Sequence, residues 1–263
     1  MTPQSLLTHY DSGQPWAAGV GTGLDVPAAY QRALEVRTLR MARGEQPRGF
    51  KVGFTNRTLW QRYQVFAPIW GSVWNTTLTL CEGQGELALA GICQPRLEPE
   101  TVFGMRATPG AGASLQDLFD AIDWLAPGFE IVQSHSPGWV FTAPDSVADG
   151  GLHARLLVGH KLPLRELADD AAQLDALLAR ASVDLLKGDA VVDHGQGANV
   201  LDSPLRALHH FVTELRQCPG APDLQPGDVV TTGTWTDAWP VLPGEHWTAR
   251  FSAPLPALRV AFR

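Results

Sequence analysis

The chain has 263 residues, 44% of them hydrophobic and 18% charged, which is enough apolar material for a substantial core and far from a disordered composition. A net charge of −7 argues against nucleic acid or an anionic membrane as the main partner, so an anionic substrate has to be met by a metal or a few placed cations. The three cysteines, Cys81, Cys93 and Cys218, lack CxxC spacing and are read as small core residues, not a disulfide framework or zinc site. No basic-then-apolar leader opens the chain, and no run reaches the ~18 apolar residues of a membrane span. The expected setting is a reducing cytoplasm.

In chain order, Val26 to Arg43 is predicted helical: Asp25 can cap it, Pro27 suits the first turn, and good helix formers follow. Gly49 to Thr55 alternates as a strand, with Phe50, Val52 and Phe54 on one face and Lys51, Gly53 and Thr55 on the other. A lysine opposite an apolar face is most simply solvated, although Gly49 and Gly53 beside it suggest close backbone approach. Ser114 to Leu125 reads as an amphipathic helix with a Ser114–Asp117 capping box, stopped by Pro127-Gly128 and followed by a short strand from Phe129 to Val132. Further on come a helix from Arg165 to Ala181, a strand around Val183 to Val192, and a helix opened by Ser203-Pro204. The last forty residues read as strands separated by turns at Pro226-Gly227 and Pro243-Gly244. The whole is one α/β unit over 1–263, a helical extension of 1–48 packed on a core of 49–263.

Glu98-Pro99-Glu100 carries the first chemical signal. Carboxylates at i and i+2 diverge on a helix but share one face of a strand, and Pro99 pushes Glu98 towards extended backbone. Left unpaired they repel and raise each other's pKa; a divalent cation resolves the conflict, and hard oxygen ligands favour Mg²⁺, Ca²⁺ or Mn²⁺. The triplet alone also fits a solvent-facing acidic pair on an edge strand, blocked by Pro99. Glu130 shifts the weighting, because it sits in the apolar run Phe129-Glu130-Ile131-Val132, one strand–helix–strand excursion later. Three carboxylates and a divalent cation leave one negative charge, which Lys51 can offset. A 2-oxo acid fits two remaining coordination positions as a five-membered chelate.

The spacing Glu98-x-Glu100-x29-Glu130 resembles the metal motif of the fumarylacetoacetate hydrolase superfamily, within it most closely the 2-oxopent-4-enoate hydratases and 4-oxalocrotonate decarboxylases. Supporting stretches are Gly49-Phe50-Lys51-Val52-Gly53, Arg96-Leu97-Glu98-Pro99-Glu100, Asp145-Ser146-Val147-Ala148-Asp149, Pro226-Gly227-Asp228, and Thr232-Gly233-Thr234 with Thr236. The resemblance implies an α/β (α+β) fold, a mixed β-roll of the fumarylacetoacetate hydrolase type with an N-terminal helical extension. It also implies a Mg²⁺ or Mn²⁺ site and homo-oligomers built from dimers, with a pathway decarboxylase or hydratase as a further partner. Some positions depart from the pattern: Gln133 and His135 stand where hydratases often carry Asp and Arg, Asn75-Thr76 where relatives often have an Asp pair, and Asp149-Gly150-Gly151 where an Asp-Asn-Ala type of run is usual.

The function this implies is a metal-dependent hydratase that adds water to a 2-hydroxydienoate or 2-oxo-enoate, giving a 4-hydroxy-2-oxo acid in aromatic meta-cleavage catabolism. Glu98, Glu100 and Glu130 are the expected ligands, with Lys51 stabilising the enolate. Gly233, Thr234 and Thr236 are expected to hold the substrate carboxylate, and His135 is the candidate proton shuttle because its pKa suits neutral pH. Trp70, Trp74 and Trp139 are candidates for an aromatic pocket, core packing being the simpler role. Rival readings are decarboxylation of a vinylogous 2-oxo diacid and C–C hydrolysis of an acylpyruvate. The second is disfavoured because no His–Glu pair accompanies His9, the only early histidine. A non-catalytic binding homologue is the remaining alternative.

Overall fold

The structure is a computed structural model and describes residues 1–263. Its elements run α1 (Pro3–Ser12), α2 (Val26–Ala42), β1 (Pro47–Gly53), α3 (Trp60–Tyr63), β2 (Ile69–Trp74), β3 (Leu78–Leu80), β4 (Gln84–Leu87) and β5 (Arg96–Met105). They continue with α4 (Leu115–Ala121), β6 (Ile122–Val132), α5 (Ala143–Ala148), β7 (His153–Val158), β8 (Leu162–Pro163), α6 (Ala171–Arg180), β9 (Ser182–Lys187) and β10 (Ala190–Gln196). Last come α7 (Pro204–Gln217), β11 (Val229–Thr231), β12 (Trp239–Pro240), β13 (His246–Phe251) and β14 (Leu258–Phe262).

Two mixed sheets result. The larger has the order β2-β1-β11-β5-β6-β7-β3, with β12 on β5 and β8 on β6; the smaller is β10-β9-β13-β14-β4. Most neighbours are antiparallel, while β1–β11, β3–β7 and β4–β14 are parallel. One large apolar core joins the sheets to α4, α6 and α7. Helix α7 shows why: Leu205, Leu208, Phe211, Val212 and Leu215 fall on one buried stripe, and the Ser203 hydroxyl accepts from Arg206 N at 3.2 Å to cap it. At the other end α2 packs on α1 and α5, with Asp25 capping α2 through Ala28 N at 2.9 Å. No helix is long and apolar enough to cross a membrane.

The expected helix over Ser114–Leu125 is shorter. Its capping box forms, with Ser114 N donating to Asp117 Oδ2 at 2.8 Å and Asp117 N to Ser114 Oγ at 3.2 Å, but α4 ends at Ala121. From Ile122 the chain is captured as β6 by a long antiparallel ladder with β5, which continues through Pro127-Gly128 instead of stopping there. Gly104 makes room for this ladder, since a Cβ there would lie 2.0 Å from the Trp124 ring. The helix expected over Arg165–Ala181 is likewise divided: a single turn at Leu164–Glu166, then α6, whose start is fixed by Asp170 accepting from Gln173 N at 2.8 Å. The strand expected over Val183–Val192 is the hairpin β9–β10, turning at Gly188 in the left-handed region (φ +58°). Cys93 is buried, Cys81 and Cys218 are half-buried, and all three are free thiols.

Candidate metal and 2-oxo acid site

Strand β5 lies between β11 and β6, so Glu98 and Glu100 are not on a solvated edge. Register places Glu130 directly opposite Glu98, and Glu100 follows on the same face. The three carboxylates each offer an oxygen within 4.8 Å of the others. Glu100 and Glu130 are fully buried, whereas Glu98 is partly open to a cavity of about 380 Å³.

Two of the three carboxylates, Glu100 and Glu130, are held from outside the cluster. Glu100 Oε2 accepts from Thr232 N at 2.9 Å and Gly233 N at 2.6 Å, at the bend that follows β11. A Cβ on Gly233 would lie 1.8 Å from Thr55 Oγ1, and its φ of +98° suits only glycine, so this cradle needs Gly233. Glu130 Oε1 pairs with His153 Nδ1 at 2.8 Å, and His153 Nε2 meets Thr77 Oγ1 at 2.8 Å. The burial that surrounds His153 holds its imidazole below the ordinary range, despite Glu130 beside it. Lys51, also buried, donates to Gly151 O at 2.8 Å and sits 3.3 Å from Glu130 Oε2. Burial opposes its charge, but Glu130, Glu98 and Glu100 outweigh that and keep its pKa above the ordinary value. The solvated position is therefore corrected: β1 is buried on both faces, and the Gly150-Gly151 turn lies against Lys51, a Cβ on Gly151 falling 3.1 Å from Lys51 Cδ.

What remains unsatisfied defines the ligand. Glu100 Oε1 and Glu130 Oε2 are sequestered without a hydrogen bond, a costly state for carboxylate oxygens. Burial first, then its neighbours' negative charge, pushes Glu98 up to about 7 and Glu100 well above the carboxylate range. Three carboxylates against the Lys51 ammonium leave −2, which one divalent cation closes. The all-oxygen donor set fits Mg²⁺, Mn²⁺ or Ca²⁺.

A pH dependence follows. Because the folded pKa of Glu98 is raised, its contribution to metal-free stability is fully present below its unfolded value of about 4.3 and is lost as pH rises through about 7. Metal-free protein is expected to lose stability between roughly pH 4 and pH 7, while Mn²⁺ affinity rises over the same window as protons leave the ligands. Calorimetric melts with and without Mn²⁺ measure both; a Tm gap between them that does not widen with pH contradicts the coupling.

The cavity places the other expected residues unevenly. Lys51, Glu98, Gly233 and Thr234 line it, with Trp139, Phe54, Tyr63 and Phe141 as aromatic walls. Thr236 does not line it; its hydroxyl donates to Asp237 O at 3.0 Å. Nor does His135, which is fully buried: its Nδ1 is bound to Asp149 Oδ1 at 2.6 Å and its ring stacks on Trp16 at 6.4 Å. The chain turns after β6, so a residue five positions past Glu130 is carried away from the carboxylates instead of back to them. Trp70 and Trp74 are buried around a different, smaller cavity. Sequence reasoning missed His153, which no spacing singles out, and two cavity cations, Arg62 and Arg96. Arg96 was readable in principle, standing two residues before Glu98 on the same strand face; its guanidinium lies 4.2 Å from the Trp139 ring centre.

No protein-family model matches the chain. It is 28% identical over 225 residues to a 2-hydroxyhexa-2,4-dienoate hydratase of Comamonas testosteroni, covering 85% of this chain and 81% of that one. It is 30% identical over 240 residues to the TodF product hydratase of Pseudomonas putida F1, covering 90% and 84%. A 4-oxalocrotonate decarboxylase of a Pseudomonas species is 29% identical over 226 residues, covering 84% and 82%. Among solved structures, the 4-oxalocrotonate decarboxylase of Pseudomonas putida G7, complexed with magnesium and adipate, superposes with a TM-score of 0.87 at 24% identity, covering 99% of this chain and 95% of that one.

Proposed function

Since this chain belongs to the hydratase and 4-oxalocrotonate decarboxylase family of fumarylacetoacetate hydrolase-fold enzymes, we propose that it is a divalent-metal-dependent lyase that hydrates a 2-hydroxydienoate, or its 2-oxo tautomer, to a 4-hydroxy-2-oxo acid. The observation that carries the reading is the Glu98–Glu100–Glu130 cluster, with its two unsatisfied carboxylate oxygens, opening on one aromatic-walled cavity. Mg²⁺ or Mn²⁺ held by these glutamates supplies a Lewis acid for the C2 oxygen of a 2-oxo acid.

The chain's own residues do the rest. The Lys51 ammonium, fixed by Gly151 O, is a preorganised positive charge for the enolate oxygen that develops as the dienol tautomerises. His153 orients the Glu130 carboxylate, and the Thr232 and Gly233 amides orient that of Glu100. Thr234 and Gly233 line the cavity wall; with the Gly233 N–H bound to Glu100 and the Thr234 hydroxyl donating to Thr236 O, this reading assigns the substrate carboxylate to the Thr234 amide. Phe54, Tyr63, Trp139 and Phe141 offer flat apolar faces to a conjugated chain and keep bulk water off it. A cytoplasmic homo-oligomer built from dimers accompanies this reading, tested by light scattering of the purified protein.

The second reading, decarboxylation of a vinylogous 2-oxo diacid, is favoured by one feature. Arg62 and Arg96 line the cavity and neither has an acidic partner within ion-pair distance, which suits a carboxylate at the far end of the substrate. A panel of 2-hydroxydienoates and 2-oxo-enedioates, assayed with Mn²⁺ and followed by NMR, separates the readings: gain of water means hydratase, loss of CO₂ decarboxylase, and no turnover of any member refutes both. Arg96→Gln is expected to lower kcat/KM for diacids about 10-fold or more and for monoacids little. Equal losses on both classes would assign Arg96 to the shared carboxylate end.

A further inference from the structure

The turn that fixes Lys51 has an anchor of its own. After α5, Gly150, Gly151 and Leu152 form one left-handed run, with φ of +68°, +69° and +66°. Leu152 carries a Cβ, so this backbone is strained there and persists only where its surroundings hold it. The run packs closely on β2: a Cβ on Gly71 would lie 2.0 Å from Gly150 O. Gly151 O accepts from Lys51 Nζ at 2.8 Å, and Gly151 and Leu152 form part of the cavity wall.

Two ties bind the run to the segment that leaves β6. At the far end Gln133 N donates to Leu152 O at 2.8 Å, a backbone contact that does not depend on the side chain at 133. At the near end Asp149, the residue before the run, accepts from His135 twice: Oδ2 from the backbone N at 3.0 Å and Oδ1 from ring Nδ1 at 2.6 Å. Both residues are buried, and His135 Nε2 has no hydrogen-bond partner, so Asp149 is the only polar contact of the ring. On its other side Trp16 N donates to His135 O at 2.6 Å, and the indole lies within 23° of the imidazole plane.

We propose that His135 is a positioning residue for the reaction: through Asp149 it locks the Gly150–Leu152 turn, and with it the carbonyl that aims the Lys51 ammonium. This role rests on the enolate stabilisation assigned to Lys51. Without the imidazole donor, Asp149 Oδ1 is left buried and unpaired, so the carboxylate turns away or draws in water and the strained run loses its near anchor. Gly151 O then no longer holds Nζ in one place, and the charge is less well set for the transition state.

The test is a double-mutant cycle in the full chain at saturating Mn²⁺, on whichever 2-hydroxydienoate or 2-oxo-enedioate the wild type turns over. His135→Phe keeps a flat ring against Trp16 but has no donor; it is expected to lower kcat about 10-fold and to leave KM within about 2-fold. In a Lys51→Met background the same substitution is expected to cost nothing further. His135→Asn, whose side-chain amide can donate to Asp149 Oδ1, is expected to recover kcat to within about 3-fold of wild type. Amide exchange on the metal-free protein supplies a readout free of turnover. The Leu152 amide, bonded to Asp149 O at 3.1 Å, is expected to be protected in the wild type and to exchange about 10-fold faster in His135→Phe, with the β5–β6 ladder unchanged. Equal losses from His135→Phe in both backgrounds, an unchanged kcat, or a His135→Asn variant no better than His135→Phe would each overturn the positioning role. So would a Leu152 amide that already exchanges freely in the wild type, a result that needs no variant to fold. A wild-type kcat in Lys51→Met alone would instead remove the Lys51 role, and the role of His135 with it.

Discussion

Glu130→Gln is expected to reduce metal-dependent kcat/KM by about 10³-fold or more while leaving the fold intact. Glutamine keeps the size of the side chain and an oxygen to accept from His153 Nδ1, so the cross-strand position opposite Glu98 survives. What is lost is the charged oxygen Oε2, which faces Lys51 at 3.3 Å and has no hydrogen bond. With one carboxylate gone, the cluster and Lys51 carry −1 instead of −2, and the pull on a divalent ion weakens accordingly. Calorimetric titration with Mn²⁺, and the Mn²⁺-induced rise in Tm, should both collapse in the variant. Full Mn²⁺ affinity with unimpaired turnover would remove Glu130 from the ligand set.

Lys51→Met is expected to lower kcat by about 10²–10³-fold in the presence of saturating Mn²⁺. The methionine fills the buried volume that the lysine stem occupies against Gly151, so the defect is one of charge and not of packing. Without the ammonium, Glu98 and Glu100 lose the positive neighbour that holds their pKa values down, and metal-free protein should bind Mn²⁺ only at higher pH. Kinetics at saturating metal distinguish this from simple loss of metal affinity: a kcat restored by excess Mn²⁺ would mean that Lys51 only tunes the ligands. A large fall in Tm with kcat unchanged would make it a structural residue.

These two residues show how differently the sequence informs on one site. The Glu98-x-Glu100 spacing sets two carboxylates on one strand face by the period of the backbone alone, and Pro99 reinforces it. Caps behave similarly: Asp25, Ser114 and Ser203 act within three residues of themselves, and each starts its helix where expected. The resemblance carried by Lys51, Glu98, Glu100, Glu130 and Gly233 located the family before any geometry was known.

Other features depended on partners far along the chain. The apolar spacing of Ile122 and Leu125 suits a helix, but the free edge of β5 offered these residues a ladder, and pairing overrode local preference. Lys51 on an alternating strand reads as solvated until β2, β11 and the Gly150-Gly151 turn close over it. His153 carries no local signal because its partners, Glu130 and Thr77, are 23 and 76 residues away. His135 looked close to Glu130 in sequence, yet the turn after β6 sends it to Asp149 and Trp16. By itself, then, the sequence determined what repeats within a few residues: strand faces, caps, and the identity of the three carboxylates. Burial and charge pairing were decided only by tertiary structure, because dielectric environment and ion-pair distance depend on which distant segments pack together.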